Sequence, residues 1–185
     1  MFAWFARRLD RRRNARELYG SIVTQARLAT FYSAWGVPDT VQGRFEMVVV
    51  HLCVVLECLQ AEAADGALAR TLSETFIADM DASMREMTFG DLAVPREVKR
   101  AAAALFDRHR AYRGPLRARQ AVAMAHALAT QLTYLGADGR LDAARLAHYM
   151  LQAADSLGRR PAADRAAGRL AWPTLGPAAA RHKQG

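Results

Sequence analysis

Between Val41 and Leu59 the apolar residues Val41, Phe45, Val48, Leu52, Val55, Leu56 and Leu59 recur at steps of three and four. Side chains spaced in this way share one face of a helix. No segment of the chain sustains the apolar–polar alternation of a half-buried strand, so an all-α fold is expected. The helical period continues on both sides. Leu18, Ile22 and Phe31 anchor a helix over 14–34, and Leu68, Leu72, Phe76, Met80, Met84 and Met87 one over 67–87. Pro95 suits the first turn of a further helix whose face is Val98, Ala102, Leu105, Phe106, His109 and Tyr112. Ala121, Met124, Leu128, Leu132 and Leu135 mark a helix over 116–135, and Leu146, Tyr149, Met150, Ala153 and Leu157 one over 141–157.

Breaks separate these segments. In Gly36–Val37–Pro38–Asp39–Thr40, Pro38 disfavours helix at Val37, and the Asp39 carboxylate can cap the next helix. Gly66 and Gly114–Pro115 read as helix stops, and residues 136–139 as a turn. The expectation is a single helical bundle-like domain of about six helices over 17–158, with flexible basic N- and C-terminal tails. Residues 1–16 form a basic amphipathic segment. Residues 159–185 are dominated by Ala, Gly, Pro and Arg and read as a disordered tail, with Leu170–Trp172 the part able to dock back.

A formal net charge of +8 over 185 residues favours an anionic partner without choosing among nucleic acid, membrane and acidic protein. Phe2, Trp4 and Phe5, followed by Arg7, Arg8, Arg11 and Arg12, suit a helix lying on anionic lipid, and a solvated basic tail reads equally well. No segment reads as a membrane span, because the longest apolar run, Met47 to Leu56, is interrupted by His51 and is far short of a bilayer's thickness. The start does not read as a secretory signal. Cys53 and Cys58 diverge around a helix and read as free thiols.

Catalytic signatures are not found: there is no phosphate loop, GxSxG, HExxH or paired CxxC. No metal or cofactor is expected. Asp79 and Asp81 diverge around a helix and cannot chelate together. His51 reads as a buried, hydrogen-bonded histidine in the strongest helix, with haem ligation the rarer alternative. Met80, Met84 and Met87 read either as core or as an adaptable groove for apolar helices. The arginines are spread over several segments without a helix-turn-helix or RNA-binding pattern, so sequence-specific nucleic-acid recognition is not expected, while electrostatic docking on ribosomal RNA stays open.

Particular residues go further. Leu18–Tyr19–Gly20–Ser21–Ile22–Val23–Thr24–Gln25–Ala26–Arg27, Phe31–Tyr32, Gly36–Val37–Pro38–Asp39–Thr40 and Gly43–Arg44–Phe45–Glu46–Met47 form one ordered block. Asp79–Met80–Asp81, Met84–Arg85–Glu86–Met87, Gly90–Asp91, Val94–Pro95 and Val98–Lys99 form a second. Together they resemble the ubiquinol–cytochrome c chaperone family over about residues 17–155, with Leu28–Ala29 where the family usually has proline. The resemblance implies a non-enzymatic assembly chaperone that binds newly made cytochrome b and supports biogenesis of ubiquinol–cytochrome c reductase, respiratory complex III. It implies work near the ribosome with a small partner protein in mitochondrial members. For a shorter, bacterial-type chain it implies the cytoplasm at the inner face of the membrane, or the mitochondrial matrix in a eukaryote. Alternative functions are a ribosome- or RNA-associated regulator and a haem-handling protein. The resemblance carries over a surface: Tyr32, Pro38, Asp39 and Arg44 from the first block, and Asp79, Asp81, Arg85, Glu86 and Asp91 from the second. These residues read equally as fold determinants and as client contacts. Arg44 is expected to pair with Asp81 or Glu86 across helices.

Overall fold

The computed structural model describes residues 2–61, 65–86, 93–135 and 141–175. They form eight helices: α1 (Phe2–Ala26), α2 (Ala29–Ser33), α3 (Val41–Gln60), α4 (Gly66–Glu86), α5 (Val94–Ala118), α6 (Ala121–Gln131), α7 (Ala143–Gly158) and α8 (Ala162–Ala166). No strand occurs among the described residues, and the all-α expectation is met. Six helices are long; α2 and α8 have five residues each.

The strongest sequence period becomes the central helix. α1, α4, α5 and α7 all pack on α3. The one-sided stripe understates its burial: Val49 through Glu57 are all buried, because the segment is apolar around its whole circumference. Each large aliphatic side chain there contributes about 1.5–3 kcal/mol by leaving water. No helix among the described residues is long and apolar enough to cross a membrane.

The entry to α3 is a built corner. Gly36 adopts a φ of 76°, and the Val37 amide donates to the Phe31 carbonyl at 3.1 Å. The cap is Thr40, not Asp39: its hydroxyl accepts from the Gly43 amide at 3.1 Å. Asp39 is drawn aside to Arg44.

Several boundaries differ from the sequence reading. The helix expected over 116–135 is α6 (Ala121–Gln131), its first residues belonging to α5, and Gly66, expected as a stop, opens α4. The helix expected over 14–34 is α1 and α2, separated at Arg27–Leu28, with Leu28 extended at ψ 126°. α1 also reaches back to Phe2, so the basic segment and the domain share one helix. Pro115 does not end α5, which continues to Ala118 because Leu116 is 2% exposed and gains more from burial than the missing amide bond costs. Arg119, with a φ of 55°, makes the turn into α6. On α5 the buried face is Ala101, Leu105, Tyr112 and Leu116, while Phe106 is 74% exposed, one residue out of register with the expectation.

Packing continues past residue 158. Arg165 is buried and donates to the carbonyls of Leu157 and Gly158, satisfying the end of α7. The Trp172 indole donates to the Ser21 hydroxyl at 3.0 Å. Residues 159–175 are thus anchored by the tryptophan of the Leu170–Trp172 stretch expected to dock back, and by an arginine that the small-residue composition conceals. Residues 176–185 lie outside the described residues.

Candidate functional site

α1, α3, α4 and α5 converge on a solvent-open groove of about 600 Å³. Tyr19 and Val23 line it from α1, Phe45 and Val48 from α3, Met80 and Met84 from α4, and Ala101 and Ala104 from α5. Val41 stands at its rim, 64% exposed. Phe76 is fully buried beneath, with its ring centroid 6.4 Å from Tyr19 and 6.2 Å from Phe45, so it props up two walls at once. The Tyr19 hydroxyl donates to Asp79 at 2.7 Å, and burial together with that carboxylate holds the phenol protonated. The spacing Tyr19, Val23, Arg27 keeps one face of α1 toward the groove.

One wall is polar. Glu46, 1% exposed on α3, accepts two hydrogen bonds from Arg108 of α5, at 2.8 and 3.2 Å. Tyr134 donates to the same carboxylate, and Arg108 also reaches Gln131 at 2.9 Å. Three turns further along α3, Glu57 meets Arg117, with His109 at 3.3 Å and Arg113 at 3.9 Å. These two acids, eleven residues apart, bind α5 to α3. The sequence reading missed both, although an acid inside an otherwise apolar helical run is the signal that would have found them.

His51 is fully buried. Its Nδ1 lies 2.6 Å from the Met47 carbonyl, which can only accept, so the proton sits on Nδ1. Nε2 then accepts from Tyr149 at 2.8 Å, and Gln25 donates to the Tyr149 oxygen at 3.0 Å. Burial lowers the His51 pKa to about 4. With both nitrogens engaged and no exposed surface, this ring is a structural group and is not presented to a haem iron. Among the described residues no group of three His, Cys, Asp or Glu side chains converges to hold a metal ion. Cys53 and Cys58 are free thiols.

The two sequence blocks meet at the groove, but their charged residues do not act as expected. Arg44 pairs with Asp39 at 2.6 Å rather than with Asp81 or Glu86, because the corner brings Asp39 within its reach first. Asp81 pairs with Arg85 one turn along α4, at 2.8 Å. Glu86 is exposed at the end of α4. Pro38 places its carbonyl against Gly43, and Tyr32 donates to the Ala26 carbonyl at 2.7 Å. Of the nine expected contact residues, Arg44 and Asp79 line the groove, and Tyr32 and Asp39 line the adjoining cleft. Asp91 lies outside the described residues, as do the side chains of Phe2, Trp4 and Phe5. Arg7, Arg8, Arg11 and Arg12 line, with Arg70, a cleft between α1 and α4. Of the methionine stripe, Met80 and Met84 are half-buried groove walls, and Met87 lies outside the described residues.

Fold and groove together define a class: an all-α domain with an apolar groove open to solvent. The chain belongs to the ubiquinol-cytochrome C chaperone family, whose sequence pattern matches residues 33–172. Its structure is similar to the crystal structure of the Cbp3 homolog from Brucella abortus, with a TM-score of 0.77 and 32% identity, over 94% of this chain and 97% of that one. No curated protein matches the chain.

Proposed function

We propose that the protein is an assembly chaperone that holds newly made cytochrome b and supports biogenesis of ubiquinol–cytochrome c reductase. The observation that carries this reading is the groove, to which both family signature segments contribute, with methionines on one wall. A membrane subunit presents apolar helices before it is packed, and shielding such surface is worth about 25 cal/mol per Å² removed from water. Methionine suits the task because its unbranched, polarisable side chain repacks around different shapes at small cost.

Holding is differential in this reading. The groove binds client helices while their apolar faces are unpaired, and haem insertion or partner subunits then compete for the same faces. The arginine-rich start of α1 keeps the chaperone at the anionic inner face of the membrane, where the client is inserted. Docking near the ribosome, with a small partner protein, is compatible with the same basic surface.

Deletion of the gene in its host tests the function. Reduced-minus-oxidised spectra of membranes read b-type haem, and an activity assay reads ubiquinol–cytochrome c reductase. Specific loss of that complex, with other respiratory enzymes intact, is the expected result. Normal levels of the complex would sink the proposal.

A further inference from the structure

Two concavities meet along one ridge. Arg27, just past the end of α1, and Arg44, in the first turn of α3, line both the apolar groove and a smaller cleft of about 490 Å³ that includes Tyr32 and Asp39. The acids of the groove are already engaged. Asp79 accepts from Tyr19 at 2.7 Å, Glu97 from Arg100 at 2.8 Å, and Glu46 from Arg108 at 2.8 Å. The ridge is unbalanced: Arg44 has Asp39, whereas the exposed Arg27 side chain makes no ion pair or hydrogen bond among the described residues. Asp79 keeps its charge, because its partner is a neutral phenol, so the lining charges balance overall; Arg27 is the ridge cation without a contact ion pair, where the apolar groove gives way to the cleft.

The dimensions fix the size of an occupant. Groove-lining residues on α5 run from Glu97 to Arg108, which at 1.5 Å per residue is about 16 Å, or three turns of helix. On α3 they run from Val41 to Val48, about 10 Å, or two turns. These spans match one helix of two to three turns laid lengthwise.

We infer that the groove has a polarity: it takes two to three turns of a single apolar helix whose end carries a carboxylate, seated over the ridge between Arg27 and Arg44. The apolar floor supplies affinity. The Arg27 guanidinium, beside the Asp39-paired Arg44, supplies direction, because a helix laid the other way leaves its carboxylate over methionine and valine and Arg27 unmatched. Tyr32, in the cleft beyond, holds its hydroxyl on the Ala26 carbonyl and so fixes the far wall. This inference rests on the groove being the client site.

The test uses amphipathic leucine–alanine peptides of about 15 residues, long enough to hold a helix and with glutamine on the far face. Pairs carry either glutamate or lysine at the same end, and a pair is made for each end. Binding to the full chain is read by fluorescence anisotropy. For one end, the glutamate peptide is expected to bind about fivefold more tightly than its lysine partner, a modest factor because the arginines are solvated. Arg27→Glu, with an unchanged circular-dichroism spectrum, is expected to abolish or reverse that preference by weakening the glutamate peptide and not the lysine peptide. Equal binding of glutamate and lysine peptides at both ends overturns the polarity and leaves the groove as a docking site. No binding of any peptide to the folded chain overturns the groove reading itself. A dimer in sedimentation that Met84→Glu dissociates would assign the groove to a second copy of the chain and overturn the inference.

Discussion

Glu46 of α3 and Arg108 of α5 are joined by two hydrogen bonds, 2.8 and 3.2 Å, with the carboxylate 1% exposed. A two-pronged pair of this kind sets the register of two helices as well as their distance. Removing one partner strands the other charge in a dry site. Arg108→Ala is expected to destabilise the fold by about 3 kcal/mol. The double change Glu46→Gln with Arg108→Met should cost less than the single one, because no charge is left unmatched. Urea denaturation of the three variants measures the difference; a double variant weaker than Arg108→Ala would refute the argument.

Gly43 and Pro38 make a different constraint. A Cβ on Gly43 would overlap the Pro38 carbonyl, which is backbone and cannot swing away. Gly43→Ala is expected to cost about 2 kcal/mol or more, because the α3 corner must move. Gly20, inside α1, has nothing within 4 Å of the same position. Gly20→Ala should therefore stabilise by about 0.5–1 kcal/mol through helix propensity. Thermal melts of the two alanine variants should move in opposite directions.

These residues show what the sequence could and could not disclose. The helices were legible because their apolar residues repeat at three and four, and the Gly36–Pro38 corner because only glycine tolerates a φ of 76° without cost. Pairings were not legible. Arg44 could reach several acids on paper, and only the corner geometry decides for Asp39. Glu46 and Glu57 look like polar positions on a helix surface until α5 is laid across them. Phe106 fitted an apolar face but stands in solvent, because the register of α5 follows Leu105 and Tyr112. In the tail to residue 175 the docking of Leu170–Trp172 was legible, whereas the anchor Arg165 was not, because a single buried arginine is not a pattern. The groove was half legible: the methionine stripe pointed to it, but the α1 and α5 walls come from other parts of the chain.

Acid should weaken the fold through His51. Its folded pKa of about 4 lies below the ordinary 6.5, so the native state binds the proton less readily than the unfolded chain. The stabilisation is fully present above pH 6.5 and is lost as pH falls toward 4, amounting to about 3 kcal/mol over that window. His109, also lowered by burial, acts in the same direction. Denaturation midpoints between pH 7 and 5 should fall in the native chain and fall less in His51→Gln. Parallel slopes would remove His51 from the account.

Membrane attachment should depend on charge at the start of α1. Arg7, Arg8, Arg11 and Arg12 of α1 line a solvent-open cleft with Arg70 and Glu74 of α4, so positive charge predominates there. Changing the four to glutamine should reduce pelleting with vesicles rich in anionic lipid by about an order of magnitude or more, at about 1 kcal/mol for each charge near the surface. The native chain should show the same loss as salt rises and the Debye length shortens. Undiminished pelleting of the folded quadruple variant would detach this segment from the membrane role.

Contact with the client can be mapped by placing a photo-crosslinker at single positions during synthesis of respiratory subunits. Ser83 lines the groove between Met80 and Met84, so a probe there faces whatever lies against the methionines. Phe106 and Val122 are 74% and 86% exposed but line no part of the groove, which makes them controls for apolar surface alone. Cytochrome b should crosslink from position 83 and not from 106 or 122, and the adduct should fade once haem is inserted. Met84→Glu places a charge on the apolar wall, where a client helix would bury it without a partner, so it should lower the position-83 adduct about tenfold without unfolding the domain. Crosslinks of equal strength from all three positions would mean that exposed apolar surface, and not the groove, captures the client.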